Sequence, residues 1–338
     1  MKLKKIASLA MTAIMTTSLL VGCSKNKEEQ DQITIGMITD VAGVNDQSFN
    51  QSAWEGLQRA KKELGIEVKY LESNQDSDYA TNVETLADEG VDLILGVGMK
   101  LASAIEEGAK LYPEQKFVLV EEELKNPLDN VESILFNSQE ASYLVGLIAG
   151  KMTKTNNIGF IGGMELPVID SFKYGFMAGA KAANPKIEIQ TQYANSFTDQ
   201  AKGKAIANQM YSKGADILFI AGGDVGTGAI EAAKENNKFA IGVDRDQSDL
   251  APDNVITSAI KRVDIGVFNA AKELVDGKFA GGSTVVYGLE DNGVGIADTT
   301  NKLVPQDIID YVNKQAELFA KGELKAPKNE EEYNKLVK

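Results

Sequence analysis

A phenylalanine among short polar side chains is the first group in the chain whose surroundings suggest binding chemistry. Phe49 follows the apolar run ITIGMIT, and the polar residues around it are Asn45, Asp46, Ser48 and Asn50. An aromatic face stacks on a flat heterocycle, while carboxylate, hydroxyl and amide groups beside it hydrogen-bond to the edge of the same ring. The pattern predicts a site for a planar ligand. The alternative is a core phenylalanine that closes the start of a helix.

A carboxylate and an ammonium group end two apolar runs further along the chain. Asp244 ends KFAIGVD, and Lys261 ends ITSAIK. A carboxylate accepts hydrogen bonds and an ammonium group donates them, so the pair offers both kinds of hydrogen-bonding group to a polar ligand. Held close together, the two charges would also neutralise each other in a dry cleft. The alternative is an ion pair on the surface.

The glycine-rich stretch AGGDVGTG (221–228) adds backbone donors. Around Gly223, the glycines let amide N–H groups at the start of a helix approach a ligand. The order from Gly223 onward is G-x-x-G-x-G, the reverse of the dinucleotide-binding pattern G-x-G-x-x-G. A net charge of −14 also disfavours a pyrophosphate. We therefore interpret Gly223 as a ligand-binding residue outside any dinucleotide site.

The chain lacks residues on which several enzyme classes depend. It contains no histidine and a single cysteine, Cys23. Histidine-dependent triads, thiol nucleophiles and ordinary zinc sites are therefore excluded, and an enzyme would have to use carboxylates, lysine, serine or tyrosine. With 49 acidic and 35 basic residues, the surface argues against nucleic acid as a partner. The sequence carries no P-loop, and we predict neither a cofactor nor a metal.

The N-terminus has the pattern of a bacterial lipoprotein. Lysines near the start precede a short apolar stretch, and Leu-Val-Gly-Cys follows at 20–23. The stretch is shorter than the roughly 20 residues that span a membrane, and its flanks are those of a secretory signal. We therefore expect a signal peptide over 1–22, lipidation of Cys23, a flexible tether over 23–32 and a location on the extracytoplasmic face of the cell membrane. The alternative is a buried cysteine in a membrane helix.

The residues after the tether alternate between short apolar runs and amphipathic stretches. The apolar runs are ITIGMIT, IEVKYLES, VDLILGVG and KFVLVEE, followed by NNIGFIGG, IEIQTQYA, ADILFIAGG and KFAIGVD. The amphipathic stretches have helical spacing and lie at 52–64, around 82–89, and at 101–111, 171–183, 201–213 and 226–236. Strands and helices that alternate in this way predict parallel sheets flanked by helices.

The two series of elements resemble each other, which predicts two similar lobes. DEGVDLILGVG matches SKGADILFIAGG, and KFVLVEE matches KFAIGVD at a similar spacing. Phe49 precedes Gly56 by the same distance as Phe172 precedes Gly179, so Phe172 is the counterpart of Phe49, although we expect it in the core. Two facing lobes create a cleft between the carboxyl ends of their strands, where open sheets bind ligands. The alternative is chance similarity between two α/β segments.

Five stretches of the chain resemble the basic membrane lipoprotein family, which includes purine nucleoside receptors that serve ABC importers. They are GVNDQSFNQSAWEG, IGFIGGMELPVIDSFKYGFMAGAKAANP, YANSFTDQAKGK, GADILFIAGGDVGTGAIEAAKE and IGVDRDQ with ITSAIKRVDIG. The resemblance implies the two-lobed type I periplasmic-binding-protein fold. In this α/β fold each lobe is a parallel sheet flanked by helices, and three strands cross at the hinge. The implied crossings lie near Gln139, near Arg262 and within 285–299.

The resemblance also implies the bounds of the two lobes. The N-terminal lobe would contain residues 33–138 plus 263–284. The C-terminal lobe would contain residues 139–262 plus 285–323. The composition of the last residues, 324–338, predicts a poorly ordered tail.

Roles for the two sides of the cleft follow from the same resemblance. Phe197, in the turn YANSFTD, would stack on the ligand from the side opposite Phe49. Asp244 and Lys261 would hold the hydroxyl groups of a sugar. Asn45 stands where several relatives have an aspartate, which removes one charge from the cleft.

One position departs from the family pattern. Relatives carry an aspartate at the end of the strand before the second crossover, whereas this chain reads VEEE at 120–123. The base-reading carboxylate would therefore be Glu121 or Glu122. A glutamate reaches about one bond further than an aspartate, so the hydrogen bonds to a purine would be rearranged or the base would differ.

The expected function is capture of a ligand without chemistry. A monomeric, lipid-anchored receptor would close its lobes around a nucleoside, expected to be a purine nucleoside, and deliver it to an ABC permease and its ATPase in the membrane. Two alternatives are a binding module for a sugar or autoinducer and a nucleoside sensor. A third is a nucleoside hydrolase that uses Asp40, Asp46 or Asp244 around a calcium ion.

Overall fold

Two six-stranded sheets make up the part of the chain that the computed structural model describes, residues 32–336. The signal segment, Cys23 and all but the last residue of the tether lie outside these residues. Across 32–336, no helix is long and apolar enough to cross a membrane. The sheets and their helices form two α/β lobes, which confirms the predicted fold class.

The first lobe is built on a sheet in which all strands are parallel. Its strands are β1 (Thr34–Ile38), β2 (Glu67–Leu71), β3 (Leu93–Val97), β4 (Lys116–Val120), β5 (Val131–Phe136) and β11 (Thr284–Tyr287). They follow the order β11-β5-β4-β3-β1-β2. The helices of this lobe are α1 (Phe49–Leu64), α2 (Asp78–Asp88), α3 (Ala102–Leu111) and α8 (Val263–Val275), with a 3-10 turn at Met99–Leu101. The central strands are apolar on both faces because helices cover both sides of the sheet.

The second lobe repeats this plan with one change. Its strands are β6 (Asn157–Gly162), β7 (Glu188–Tyr193), β8 (Ile217–Ala221), β9 (Phe239–Asp244), β10 (Val255–Lys261) and β12 (Val294–Ile296), in the order β12-β10-β9-β8-β6-β7. Its helices are α4 (Ser138–Met152), α5 (Pro167–Ala183), α6 (Gln200–Ser212), α7 (Asp224–Glu235), α9 (Gln306–Ala320) and α10 (Glu330–Leu336), with a 3-10 turn at Asp298–Lys302. Strand β12 is antiparallel to β10, whereas the sequence predicts a parallel sheet. It runs in this direction because the chain enters from the cleft with no helix to reverse it.

The chain passes between the lobes three times: from β5 to α4, from β10 to α8, and from β11 to β12. The last passage lies in residues 288–293, inside the segment 285–299. Residues 285–287, assigned to the C-terminal lobe from the sequence, belong to β11 and pair with β5 in the first sheet. The run TVVY is β-branched and aromatic, which suits this strand position.

Glycines let neighbouring helices pack closely in both lobes. Their contacts also show that the internal repeat aligns one helical turn away from the alignment predicted from the sequence. A Cβ on Gly56 of α1 would lie 2.5 Å from the carbonyl oxygen of Asp264, the second residue of α8. The equivalent contact in the second lobe is made by Gly175 of α5, whose Cβ would lie 2.5 Å from the carbonyl oxygen of Gln139 in α4. The counterpart of Gly56 is therefore Gly175, one helical turn before Gly179.

The shifted register changes the interpretation of Phe172. This residue lies one turn further into its helix than Phe49 does, so it is not the structural counterpart of Phe49. Its side chain is 2% exposed and packs edge-to-face on Phe219, with ring centroids 6.0 Å apart. The expectation of a core position is thus confirmed, and the proposed pairing of the two phenylalanines is wrong.

The C-terminal residues are folded, in contrast to the predicted poorly ordered tail over 324–338. As far as residue 336, they contain helix α10, and Tyr333 in this helix is 8% exposed. The Tyr333 ring lies 5.7 Å from the ring of Tyr174 on α5. Composition alone predicted disorder because charged residues dominate the segment, but one buried aromatic side chain attaches it to the second lobe.

Candidate ligand-binding site

A cavity of about 660 Å³ lies where the carboxyl ends of the two sheets face each other. Residues of both lobes line it. Seven of the eight ligand-binding residues predicted from the sequence are among them: Asp46, Phe49, Glu121, Phe197, Gly223, Asp244 and Lys261. Asn45 is the exception, because its side chain is exposed to solvent and lies outside the cavity lining.

A buried ion cluster forms one part of the cavity wall. The Lys261 Nζ lies 3.3 Å from Glu121 Oε2 and 3.3 Å from Asp244 Oδ1. All three side chains are almost completely buried. The second carboxylate oxygen of Asp244 accepts a short hydrogen bond from the Ser48 hydroxyl, so the cluster joins the two lobes. The alternative of a surface ion pair between Asp244 and Lys261 is therefore wrong.

Both carboxylates of the cluster stand on left-handed backbone. Glu121 follows the last residue of β4 with a φ of 72°, and Asp244 ends β9 with a φ of 64°. This conformation is uncommon for residues other than glycine and is found most often where a side chain must point in a required direction. Here it turns the two carboxylates toward the same ammonium group. Glu122 lines a separate groove and makes no contact with Lys261.

Burial and charge act in opposite directions on the pKa values of this cluster. Burial alone would lower the pKa of the Lys261 ammonium, but the attraction of Asp244 and Glu121 outweighs burial and raises this pKa. For Glu121, burial dominates over the attraction of Lys261, so the pKa of its carboxyl is raised. The Glu121 Oε1 is buried without a hydrogen-bond partner. The cluster therefore presents a buried acceptor without a partner beside a buried ammonium donor.

The two predicted stacking residues come from opposite lobes. Phe49 begins α1 and is half-buried, and the Lys261 Nζ lies 4.4 Å from the centroid of its ring. Phe197 lies in the turn between β7 and α6, where its ring rests on the backbone of Gly163. A Cβ on Gly163 would come within 2.3 Å of Phe197 Cε1, so only glycine allows this ring position.

Asp46 organises the start of α1. Its carboxylate accepts hydrogen bonds from the backbone N–H groups of Ser48, Asn50 and Gln51 at 2.9–3.1 Å, and from the side-chain amide of Asn50. These donors are otherwise left without helical partners in the first turn. Burial raises the pKa of Asp46 to about 6, although the hydrogen bonds oppose this effect. The structure thus gives Asp46 the role of positioning Phe49, which the sequence analysis did not foresee.

Asp40 is a cavity residue that the sequence analysis did not assign to ligand binding. It follows β1, and its Oδ1 accepts hydrogen bonds from the backbone N–H of Ala42 at 3.0 Å and from Asn50 Nδ2 at 2.8 Å. Burial raises its pKa, and these bonds offset the effect only in part. The charged groups that act on it are Lys100 and Asp76. A strand-end aspartate, the same signal that identified Asp244, would have found it.

The glycine-rich stretch contributes residues 221–223 to the cavity lining. Gly223 lines the cavity and precedes α7 with a φ of 56°. The backbone N–H of the next residue, Asp224, donates to the carbonyl of Phe197 at 2.9 Å. The start of α7 therefore fixes the turn that carries the Phe197 ring.

The aspartates considered for a calcium site do not form one cluster. Asp40 and Asp46 are joined through Asn50 Nδ2, whereas Asp244 pairs with Lys261. In the chain from 32 to 336, no group of three acidic, histidine or cysteine side chains is placed to hold a metal ion.

Comparison with known proteins identifies the family. A family model described as "ABC transporter substrate-binding protein PnrA-like" matches residues 33–330. The chain is 40% identical to the "CD4+ T-cell-stimulating antigen" of Listeria monocytogenes, over 96% of this chain and 99% of the relative. It is 39% identical to the "ABC transporter nucleoside-binding protein BmpA" of Lactococcus lactis, over 89% of this chain and 93% of the relative.

A solved structure supports the same assignment. The fold matches that of an ABC transporter solute-binding protein from Aeropyrum pernix with a TM-score of 0.83 and 28% identity, covering 90% of this chain and 96% of that one. The shared architecture, a cavity between the sheets and the match over nearly all described residues lead to one conclusion. The chain belongs to the PnrA-like family of ABC transporter substrate-binding proteins.

Proposed function

We propose that this protein captures a nucleoside between its two lobes and delivers it to a membrane permease. The observation that carries the proposal is the composition of the cavity, which is lined by two aromatic rings, Phe49 and Phe197, and by the ion cluster around Lys261. Rings favour a flat base, and closely placed carboxylate and ammonium groups favour hydroxyl groups. The relative that is named a nucleoside-binding protein supports this substrate class.

The geometry supports a sugar end at the ion cluster. Glu121 and Asp244 contact the same ammonium group, which supports placing both carboxylates at the sugar end of the ligand instead of assigning Glu121 to the base. In our proposal both carboxylates accept from the ribose hydroxyls, and Lys261 donates to the same oxygens. The unsatisfied Glu121 Oε1 then gains a partner when the ligand binds.

Asp40 takes the base-reading role in this proposal. A Cβ on Gly98 would lie 3.7 Å from Asp40 Oδ2 and 3.8 Å from Phe49 Cε1, so the Asp40 carboxylate and the Phe49 ring both face Gly98 in the cavity wall. Asp40 is hydrogen-bonded to Ala42 and Asn50, whereas Glu121 and Asp244 pair with Lys261. The cavity thus holds two separate polar groups, one for each end of a nucleoside, and a purine is the larger base that we expect.

Lipid anchoring and transport complete the proposal. We infer that Cys23 carries the lipid, that the tether holds the protein on the extracytoplasmic face, and that a monomer presents the closed lobes to an ABC permease with its ATPase. Membership of the substrate-binding family supports the permease as partner. Metabolic labelling with a palmitate analogue tests the anchor, since replacement of Cys23 by serine should abolish the label.

A thermal-unfolding titration tests the ligand class. The panel is adenosine, guanosine, inosine, cytidine, uridine, ribose and glucose. A ligand at 100 times its Kd stabilises a protein by about 2.7 kcal/mol, which raises Tm by a few degrees. We expect purine nucleosides to give this shift and glucose to give none. A shift with sugars alone would overturn the nucleoside proposal, and release of free hypoxanthine from inosine would show a hydrolase instead.

A further inference from the structure

Contacts outside the cavity also hold the two lobes together. They join the segment before α1 and the first turns of α1 to the loop between β9 and β10. The four residues that make them are Gln47 and Glu55 of the first lobe and Arg245 and Gln247 of the second, which we call the interlobe latch. None of the four lines the ligand cavity.

The latch contains two hydrogen bonds and one ion pair between lobes. Arg245 Nη1 donates to Gln47 Oε1 at 3.2 Å, and Gln247 Nε2 donates to the backbone carbonyl of Gln47 at 2.9 Å. Arg245 Nη2 lies 3.8 Å from Glu55 Oε1. Gln47 has a φ of 54°, a left-handed conformation that points its carbonyl toward the second lobe.

Gln247 is built rigidly into the second lobe. Its side-chain Oε1 accepts from the backbone N–H of Val243 at 3.0 Å, and its own N–H donates to Ser258 Oγ at 3.1 Å. The residue is 1% exposed. Gly242 leaves room for it, since a Cβ there would lie 2.7 Å from Gln247 Oε1. A fixed amide of this kind reaches the other lobe only when the lobes are close together.

The latch is adjacent in sequence to the ligand site on both sides. Gln47 precedes Ser48 and Phe49, and Arg245 follows Asp244, which accepts from Ser48 across the cleft. If the lobes separate at this edge, the latch and the Ser48–Asp244 bond are lost together. In that case the latch favours the form in which the lobes are close together without contacting the ligand, and its free energy adds to that of ligand contacts.

We propose that the interlobe latch sets how long the closed lobes retain their ligand. The proposal rests on the closure of the two lobes around a nucleoside described above. Loss of a latch bond destabilises the closed form relative to the open form, so ligand dissociation becomes faster. Encounter takes place in the open form, where the latch is not made, so the association rate stays the same.

Two variants remove different parts of the latch. Gln247→Glu keeps the acceptor for the Val243 N–H but replaces the donor to the Gln47 carbonyl with an oxygen that repels it. Arg245→Gln removes the ion pair and shortens the side chain. Gln190→Glu is the matched control, because Gln190 Nε2 donates only within the second lobe, to Asn157 Oδ1 at 2.9 Å and to the Met210 carbonyl at 3.2 Å.

The measurements are the dissociation rate of labelled inosine in a chase experiment and the radius of gyration of the ligand-free protein by small-angle X-ray scattering. We expect each latch variant to release inosine about tenfold faster at an unchanged association rate, and to have a larger radius of gyration than Gln190→Glu. An unchanged dissociation rate of inosine and an unchanged radius of gyration in both latch variants would overturn the proposal. Equal effects in Gln190→Glu would also overturn it, since they would show a general cost of the substitution.

Failure of the proposed ligand is distinguishable from failure of the latch. If the parent protein binds no inosine or other nucleoside, the proposed function fails, and scattering alone decides on the latch. A larger radius in both latch variants then supports it, and equal radii for all four proteins reject it.

Discussion

The ammonium group of Lys261 lies between two buried carboxylates and beside the ring of Phe49. The other lysine of the cavity lining, Lys100, pairs with Asp76 instead of with these carboxylates. Removal of one partner from such a cluster leaves charges without compensation in a medium of low dielectric constant. The residue therefore connects binding to stability.

We predict that Lys261→Met abolishes nucleoside binding and lowers the free energy of unfolding by about 3–5 kcal/mol at pH 8. The pKa of the Glu121 carboxyl is already raised by burial, and it rises further without the ammonium group. A carboxyl with a raised pKa in the folded state stabilises that state when protonated, and this stability is lost as the pH rises through the folded pKa. The loss in free energy of unfolding caused by Lys261→Met should therefore be smaller at pH 5 than at pH 8. Urea unfolding at both pH values measures this loss.

Lys204→Met is the control for this experiment. Lys204 pairs with Glu231 and Glu235 on the surface of the second lobe. Exposed pairs contribute about 0–1 kcal/mol, so the control should lose little at either pH. A deficit of Lys261→Met that is the same at pH 5 and pH 8 would contradict the role of the buried carboxylates.

Single residues also show what sequence patterns can identify. Asp244, Lys261 and Phe49 were found because they follow apolar runs, and parallel strands bring their carboxyl ends to one edge. The capping role of Asp46 was missed, because its bonds depend on the left-handed turn at Gln47 and not on residue type. The contact of Glu121 with Lys261 also could not be predicted from residue type, since the direction of the side chain follows from a φ of 72°.

Among the elements, the turn that carries Phe197 depends on the strand β6 beside it. The ring occupies the space that a side chain at Gly163 would take. Strand, turn and the start of α7 thus hold one aromatic face in place. A methyl group added at this strand end would move the ring without entering the core of the lobe.

We predict that Gly163→Ala weakens nucleoside binding by about tenfold or more, because the added Cβ displaces the ring and loses its stacking, which is worth about 1–3 kcal/mol per base. Isothermal titration calorimetry with inosine measures the change. Gly226→Ala in α7 is the control, since its Cβ would meet only Ile220 Cγ2 at 3.6 Å, an ordinary contact. Equal affinity in Gly163→Ala and the parent would argue against Phe197 as a stacking residue.

The elements themselves were largely predictable, while their directions at the hinge were not. All eight apolar runs of the two series became strands. The central strands are buried on both faces, as continuous apolar sequence predicts, whereas the edge strands β2 and β7 are partly exposed. Strand β12 has only three residues, and its antiparallel direction follows from the crossing that precedes it. The fold of the tail depended on the contact of Tyr333 with Tyr174, which no local pattern reveals.

At the scale of the whole molecule, the distribution of charge bears on the choice of ligand. The cavity is lined by the carboxylates Asp40, Asp46, Glu121 and Asp244, against the ammonium groups of Lys100 and Lys261. The complete chain has a net charge of −14. A phosphorylated ligand would therefore meet like charge during approach and again inside the cavity.

We predict that inosine monophosphate binds at least 100-fold more weakly than inosine. The phosphate must lose its hydration beside buried carboxylates, and both lysines of the cavity lining already have partners: Lys100 pairs with Asp76, and Lys261 pairs with Glu121 and Asp244. Calorimetry with both ligands at low and physiological salt gives the ratio. Similar affinities for the two would show that the phosphate remains outside the cavity and that charge does not select the ligand.

The third crossing between the lobes has a consequence for the order of events during synthesis. Strand β11 completes the first sheet, yet it lies at residues 284–287, after all five parallel strands of the second sheet. While the ribosome makes the chain, β5 therefore remains an uncovered edge until almost the whole protein has been translated. An uncovered edge strand pairs readily with other chains. The edge of the first sheet in a nascent chain is therefore open to chaperones and to misassembly during most of synthesis, although the first lobe is translated first.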